Sequence, residues 1–213
     1  MAGELECQVI EHVSWNLTRY SQIHAAFVAK EASGLLIPGR THIGKTTLAL
    51  TLWELGWTMY SDDLAVLQPE SGLFLPFPRA LKLEGRTLEH LKAPALGYEL
   101  RLGPPDYSNP FAYFHPSWLS PKRGEDHPPK PVEARWIVFP RRRERARKKP
   151  ELRPLTRGQA LRRLVPHSYA THEFGVRGLE ILSDLASRTE PYELVLGLPG
   201  ENCRLIDEVL GGG

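Results

Sequence analysis

The segment Gly39-Arg40-Thr41-His42-Ile43-Gly44-Lys45-Thr46 constrains this chain more than any other, because it satisfies the pattern G-x-x-x-x-G-K-[ST] in full. Glycines at the first and sixth places let the backbone curl round an anion so that several N–H groups point inward, and a helix starting directly behind them adds its positive dipole end. The flanks supply the context that the pattern needs. Gly34 to Gly39 reads as a short buried strand ending in a glycine turn, and Leu48, Leu52 and Leu55 recur at helical spacing after Lys45. Strand, loop and helix in that order predict a polyphosphate cradle. Lys45 is expected to reach the β- and γ-phosphates and the Thr46 hydroxyl to take one position on Mg²⁺. Phosphate contacts are expected along Gly39, Arg40, Thr41, His42, Ile43, Gly44, Lys45, Thr46 and Thr47. The plain alternative, a glycine turn capping an ordinary helix, gives the Lys-Thr pair no purpose. His42 stands where such loops often carry a small residue, and its imidazole is expected to face solvent.

The cradle helix has a stop signal at Gly56, and Trp57 to Tyr60 reads as a strand that ends at Ser61-Asp62-Asp63. Strand ends beside a phosphate loop are where ligands bind in α/β sheets. Adjacent carboxylates on extended chain point to opposite sides, so Asp62 and Asp63 are expected to divide two jobs: one holds Mg²⁺, the other accepts a proton from an attacking hydroxyl. Without the cradle, Ser-Asp-Asp is ordinary turn chemistry. His24, at the end of the strand-like run IHAAFVAK, reads on its own as a structural histidine.

Elsewhere, short β-rich runs between Cys7 and Lys30 predict an amino-terminal β region, Leu64 to Gln68 is expected to continue the strand of Trp57 to Tyr60 and to turn at Pro69 to Gly72 into Leu73 to Leu75, and Ala134 to Pro140 predicts a further strand. Helices are predicted at Arg157 to Leu164, Gly178 to Ala186 and Glu201 to Leu210, with a strand at Tyr192 to Leu196. Residues 93–131 combine dense proline with Tyr107, Phe111, Tyr113, Phe114 and Trp118, which predicts an irregular segment packed on something, as a lid or a contact in a homo-oligomer. Together these readings predict one α/β domain over 1–213, a mixed β-sheet flanked by helices. Basic and acidic side chains nearly cancel, 27 against 25, so nucleic acid is not an expected partner. The run from Arg141 to Lys149 is a local exception, read as a solvated loop or a dock for an acidic partner. Cys7 and Cys203 match no metal spacing, the histidines (His115, His127, His167, His172) form no zinc-like grouping, and no apolar stretch is long enough to span a bilayer. A cytoplasmic protein with no membrane partner is expected.

The segments IHAAFVAK, GLLIPGRTHIGKTTLAL and WTMYSDDLAVL resemble the catalytic domain of HPr kinase/phosphorylase and the wider group of HPr-kinase-related kinases, including lasso-peptide precursor kinases. The likeness runs from about His24 to Glu89, with a weaker one in WIVFPRRR, TRGQALRRL and YELVLGLPG. It implies a P-loop kinase core of HPr-kinase type, ATP as phosphoryl donor, Asp63 as the base toward a serine hydroxyl, Asp62 near the metal, and His24 as a partner of the acidic pair. Three features depart from that family's pattern. There is no room for a separate amino-terminal domain, His42 replaces a usual glycine, and Lys82 in LKLEG stands where a later acidic position is expected. These departures weigh against phosphorolysis and against HPr itself as the acceptor.

The expected activity is therefore a Mg²⁺- and ATP-dependent transfer of the γ-phosphoryl group to a serine hydroxyl of a protein or peptide, with Asp63, Lys45 and His24 in the chemistry. Two alternatives stay open: a small hydroxy metabolite such as free serine as acceptor, or a nucleotide-binding regulatory module that docks an acidic partner.

Overall fold

The structure, a computed structural model, describes residues 19–77, 81–84, 101–102, 111–114, 129–143, 149–169 and 175–212. The strands expected between Cys7 and residue 18, most of the proline-rich segment, and residues 144–148 of the basic run lie outside the described residues, as do His115, His127 and His172.

The strands are β1 (Ser21–Ile23), β2 (Ala25–Lys30), β3 (Ser33–Pro38), β4 (Thr58–Ser61), β5 (Ala65–Gln68), β6 (Leu73–Leu75), β7 (Leu81–Glu84), β8 (Arg101–Leu102), β9 (Phe111–Phe114), β10 (Val132–Arg141), β11 (Glu151–Pro154) and β12 (Glu190–Val195). The helices are α1 (Lys45–Glu54), α2 (Arg157–Leu164), α3 (Val176–Arg188) and α4 (Pro199–Leu210), with a 3-10 turn at Val165–His167. Each α-helix expected from periodicity is present, α3 and α4 starting two residues earlier than read. The strand β11, Glu-Leu-Arg-Pro, is four residues too polar and too short to stand out in the sequence, and its pairing with β12 is what makes it a strand. Within 93–131, expected to be irregular, β8 and β9 are extended and pair with each other and with β7 in a separate three-stranded sheet. Leu64 to Gln68 does not continue the strand before it: the chain bends at Asp62 and Asp63, and β5 pairs with β1 and β6 while β4 pairs with β2. Arg141, expected to open the solvated basic run, is the last residue of β10.

Among the described residues the main sheet runs β1-β5-β6-β10-β3-β2-β4, with β12 also on β10 and β11 on β12. Strand β3 lies between β2, antiparallel with Ala25 opposite Pro38, and β10, parallel with Trp136 opposite Leu35. On the far side β2 pairs antiparallel with β4, Phe27 opposite Ser61, while β10 pairs parallel with β12 up to Arg141 opposite Val195. These registers put the carboxyl ends of β3, β4, β10 and β12 and the amino end of β2 along one edge of the sheet. The first residues of β10 pair instead with β6, so this one strand joins the β1-β5-β6 antiparallel unit to the rest.

Side chains alternate between the faces of a strand, and two hydrophobic clusters follow from that. Val28, Leu35, Ile37, Trp136 and Val138 pack with Leu48, Leu52 and Trp53 of α1 and Cys203, Ile206 and Leu210 of α4. Phe27, Leu36, Ile137 and Phe139 pack on the opposite face with Leu164 of α2 and Leu182 and Leu185 of α3. The result is a mixed sheet flanked by helices on both faces, as the order of predicted elements required. Gly34 is where three strands crowd most: a Cβ there would sit 2.3 Å from the Phe27 ring and 2.7 Å from the Glu133 carbonyl oxygen. Phe27 has little room to give, since its ring stacks on Phe74 at 4.3 Å between centroids. Helix α2 begins at a capping box, with Thr156 Oγ1 accepting from the Gln159 N–H at 3.3 Å and Gln159 Oε1 accepting from the Thr156 N–H at 2.9 Å.

Candidate active site

The shared sheet edge brings the sequence-predicted residues together. The chain leaves β3 at Pro38, forms the loop Gly39 to Gly44, and enters α1 at Lys45. Gly44 has φ 114, a left-handed conformation that L side chains avoid, and no side chain caps the helix behind it. The amino-terminal, positive dipole end of α1 therefore faces the loop, which is the electrostatic requirement for an anion site. His42 also has positive φ, 62. An L-residue in that region costs roughly 1–2 kcal/mol relative to right-handed backbone, histidine being among the more tolerant types. Arg40, Thr41 and His42 are exposed, as expected for His42, while Ile43, Gly44, Thr46 and Thr47 are half-buried.

Lys45 is 5% exposed. Its ammonium donates to the Gly39 carbonyl at 2.9 Å and the Arg40 carbonyl at 3.4 Å, lies 2.9 Å from His24 Nε2, and stands 3.4 Å from Asp63 Oδ1. His24 Nε2 is in turn 2.8 Å from the same Asp63 oxygen. His24 occupies the bend between β1 and β2, and its main chain is fixed on three sides. Its N–H donates to the His167 carbonyl at 2.6 Å, its carbonyl accepts from the Gly39 N–H at 3.5 Å, and the next residue, Ala25, donates to the Asp63 carbonyl at 3.1 Å. Histidine, lysine and aspartate thus meet because β2 lies between β3 and β4.

One imidazole nitrogen cannot donate to a carboxylate and accept from an ammonium at once. With the proton on Nε2, His24 donates to Asp63, and Lys45 rests on the two loop carbonyls. With the proton on Nδ1, Nε2 accepts from Lys45. The ring can therefore exchange partners as Lys45 moves, which ties the orientation of the carboxylate to the position of the lysine.

Asp62 and Asp63 stand in the bend just after β4, not on the extended chain expected, and Asp62 faces Thr46. Asp62 is 3% exposed, and its Oδ2 accepts from the Thr46 hydroxyl at 3.3 Å. Hydroxyl and carboxylate are both hard oxygen donors suited to Mg²⁺. Among the described residues no group of three or more His, Cys, Asp and Glu is placed to hold a metal ion by itself. A cation at Thr46 and Asp62 would thus take its remaining ligands from phosphate oxygens and water, the usual arrangement for Mg²⁺ beside a nucleotide.

Two residues beside the site were not found by reading the sequence. His167, in the 3-10 turn after α2, presents its ring edge-on to His24 with centroids 6.4 Å apart. Burial holds its pKa below the ordinary value, helped by the neighbouring charges of His24, Lys45 and Arg40. Arg142 donates through Nη2 to the main-chain carbonyl of His42. Neither stands in a recognisable motif. Lys82, singled out in the sequence, is described only as backbone, in β7. Cys203 is buried, and burial pushes its thiol up to about 12, so it is an inert member of the core.

No family model matches this chain, and no curated protein does. Among solved structures the chain is similar to the Hpr(Ser) kinase/phosphatase from Coxiella burnetii, with 14% identity, a TM-score of 0.43, and coverage of 89% of this chain and 93% of that one. No helix among the described residues is long and apolar enough to cross a membrane.

Proposed function

We propose that this protein is a Mg²⁺- and ATP-dependent kinase that transfers the γ-phosphoryl group to a serine hydroxyl of a protein or peptide. The observation that carries the reading is the meeting of His24, Lys45 and Asp63 within hydrogen-bond or ion-pair distance at the mouth of the Gly39–Thr46 loop. In this reaction Lys45 exchanges the loop carbonyls for the β- and γ-phosphate oxygens. The serine oxygen forms its bond to the γ-phosphorus as the bond to the β,γ-bridging oxygen breaks, the serine proton passes to Asp63, and ADP leaves. His24 keeps the Asp63 carboxylate turned toward the acceptor. Mg²⁺ held by Thr46 and Asp62 would neutralise charge on the phosphates.

The exposure of Asp63 supports a macromolecular acceptor. Its side chain is 41% exposed, so a hydroxyl carried on a chain can reach it without entering a closed cavity. The test is transfer of label from γ-labelled ATP to a panel of serine peptides, proteins and free serine. Asp63→Asn is expected to lower transfer by roughly 10²–10⁴-fold, the usual weight of a general base, while sparing nucleotide affinity. Lys45→Ala is expected to abolish transfer with the fold intact. Undiminished transfer by Asp63→Asn removes the proposal; label found only on free serine moves it to a small-molecule kinase.

A further inference from the structure

Three consecutive arginines close β10 and its exit, and each has a different partner. Arg141 Nε lies 3.2 Å from Glu193 Oε2, and Arg143 Nη2 donates to Glu151 at 2.8 Å. Arg142, exposed between them, donates to the carbonyl of His42 inside the phosphate loop. Sheet register makes this contact possible: β10 runs parallel to β3 at its side, so the residues after Arg141 emerge next to those after Pro38.

The choice of partner is informative. Among the described residues, His42 is one of two non-glycine residues with positive φ, the other being Glu31 in the turn between β2 and β3. A left-handed L-residue persists where its surroundings over-determine it. Elsewhere in the loop the Ile43 N–H donates to the Arg40 carbonyl at 3.2 Å, and Lys45 Nζ holds the Gly39 and Arg40 carbonyls. The bond from Arg142 falls on His42 itself, and it comes from a neighbouring strand whose position is set by the core.

We infer that Arg142 is a positioning residue for the cradle: by gripping the His42 carbonyl it holds the left-handed turn that a glycine at this place would adopt unaided. The inference rests on the reading of this loop as a nucleotide site and adds how that site is kept in shape. It also accounts for histidine at a position where the turn favours glycine, since the β10 guanidinium restrains what the side chain would otherwise disfavour.

The test combines two measurements on the full chain, made on the natural protein, Arg142→Ala, Arg142→Lys, His42→Gly and the double variant. The first is the equilibrium affinity for Mg²⁺-ATPγS. Arg142→Ala is expected to weaken it roughly 3- to 10-fold, the net value of one typical hydrogen bond, and Arg142→Lys to restore most of the loss. In the His42→Gly background Arg142→Ala is expected to cost less than about 2-fold, because contacting positions are not additive. The second is hydrogen exchange of the amides of residues 42–45 in the free protein, faster in Arg142→Ala and not further raised by it in the His42→Gly background. An equal affinity loss in both backgrounds overturns the inference, since Arg142 would then contact the nucleotide itself. Unchanged affinity together with unchanged exchange overturns it as well. If the natural protein binds no nucleotide, the proposed function fails, and loop exchange alone decides the role of Arg142.

Discussion

A single imidazole nitrogen faces both an ammonium and a carboxylate at this site, 2.9 Å from Lys45 and 2.8 Å from Asp63. Removing the ring should therefore disturb chemistry more than nucleotide binding, because Lys45 keeps its loop carbonyls while Asp63 loses a donor. His24→Ala is expected to lower kcat roughly 10- to 100-fold, less than loss of the base itself, with little change in KM for ATP. His167 is the other histidine with a consequence. Its folded pKa lies below the ordinary value of 6.5, because burial and then the charges of His24, Lys45 and Arg40 disfavour the imidazolium. The unfolded chain binds a proton at this residue as pH drops through 6.5, whereas the folded chain does so only at lower pH. Stability contributed by the neutral ring is thus full above that value and is lost as pH falls below it. Urea unfolding at pH 7 and pH 5 should show His167→Gln losing less stability over the interval than the natural protein. An equal loss in both removes the assignment.

Strands β2 and β3 carry the most demanding packing. At Gly34 a methyl group would meet the Phe27 ring at 2.3 Å and the Glu133 backbone oxygen at 2.7 Å. Gly34→Ala is expected to destabilise by about 1–3 kcal/mol, as overpacked core sites do, measurable as a shift in the denaturant midpoint. Helix α4 is tied to the sheet differently. Asp207 Oδ1 accepts from Lys30 Nζ and from Trp57 Nε1, each at 2.8 Å. Burial raises the Asp207 pKa, and the bonds from Lys30 and Trp57 outweigh it, leaving the carboxyl below its ordinary 3.8. A carboxyl so lowered contributes stability above its unfolded pKa and loses it as pH falls through the folded one. Asp207→Asn should therefore cost roughly 1 kcal/mol near neutral pH, and the difference from the natural protein should close in acid below about pH 4. A constant difference across that range would mean that the aspartate acts by shape and not by charge.

At the scale of the molecule, β10 belongs to both halves of the sheet, and the two hydrophobic clusters share its residues, Trp136 and Val138 in one and Ile137 and Phe139 in the other. Neither half can lose its packing without exposing the other. Ligand bound at the edge where β2, β3, β4 and β10 meet should consequently stabilise the whole domain. With Mg²⁺-ATPγS at a hundred times its Kd, about 2.7 kcal/mol is expected, a rise of roughly 5–10 °C in Tm for a chain of this size. Thr46→Ala should reduce the Mg²⁺-dependent part of that rise. A Tm indifferent to nucleotide would remove the site.

Much of this was legible in order of residues alone, and the reason is range. The proposed cradle is eight consecutive residues whose glycines, lysine and threonine would each have a local task, so Gly39 to Thr46 could be put forward as a phosphate loop before any strand was placed. The 3.6 periodicity likewise announced α1, α2 and α3, because burial repeats along the chain with the geometry of the element, and a short continuous apolar run announced β3. Asp62 and Asp63 followed from their place after the cradle helix. What stayed hidden depends on contacts between distant segments. Strand β11 exists through its partner β12, Arg142 has meaning only because β10 sets it beside a loop 100 residues earlier, and His167 counts because a single 3-10 turn brings it to His24. Residue order determined the loop proposed to hold a phosphate; the packing of β2 between β3 and β4, with β10 alongside, decided which histidine and which arginine stand beside that loop, since register is a property of paired strands and no single strand encodes its neighbour.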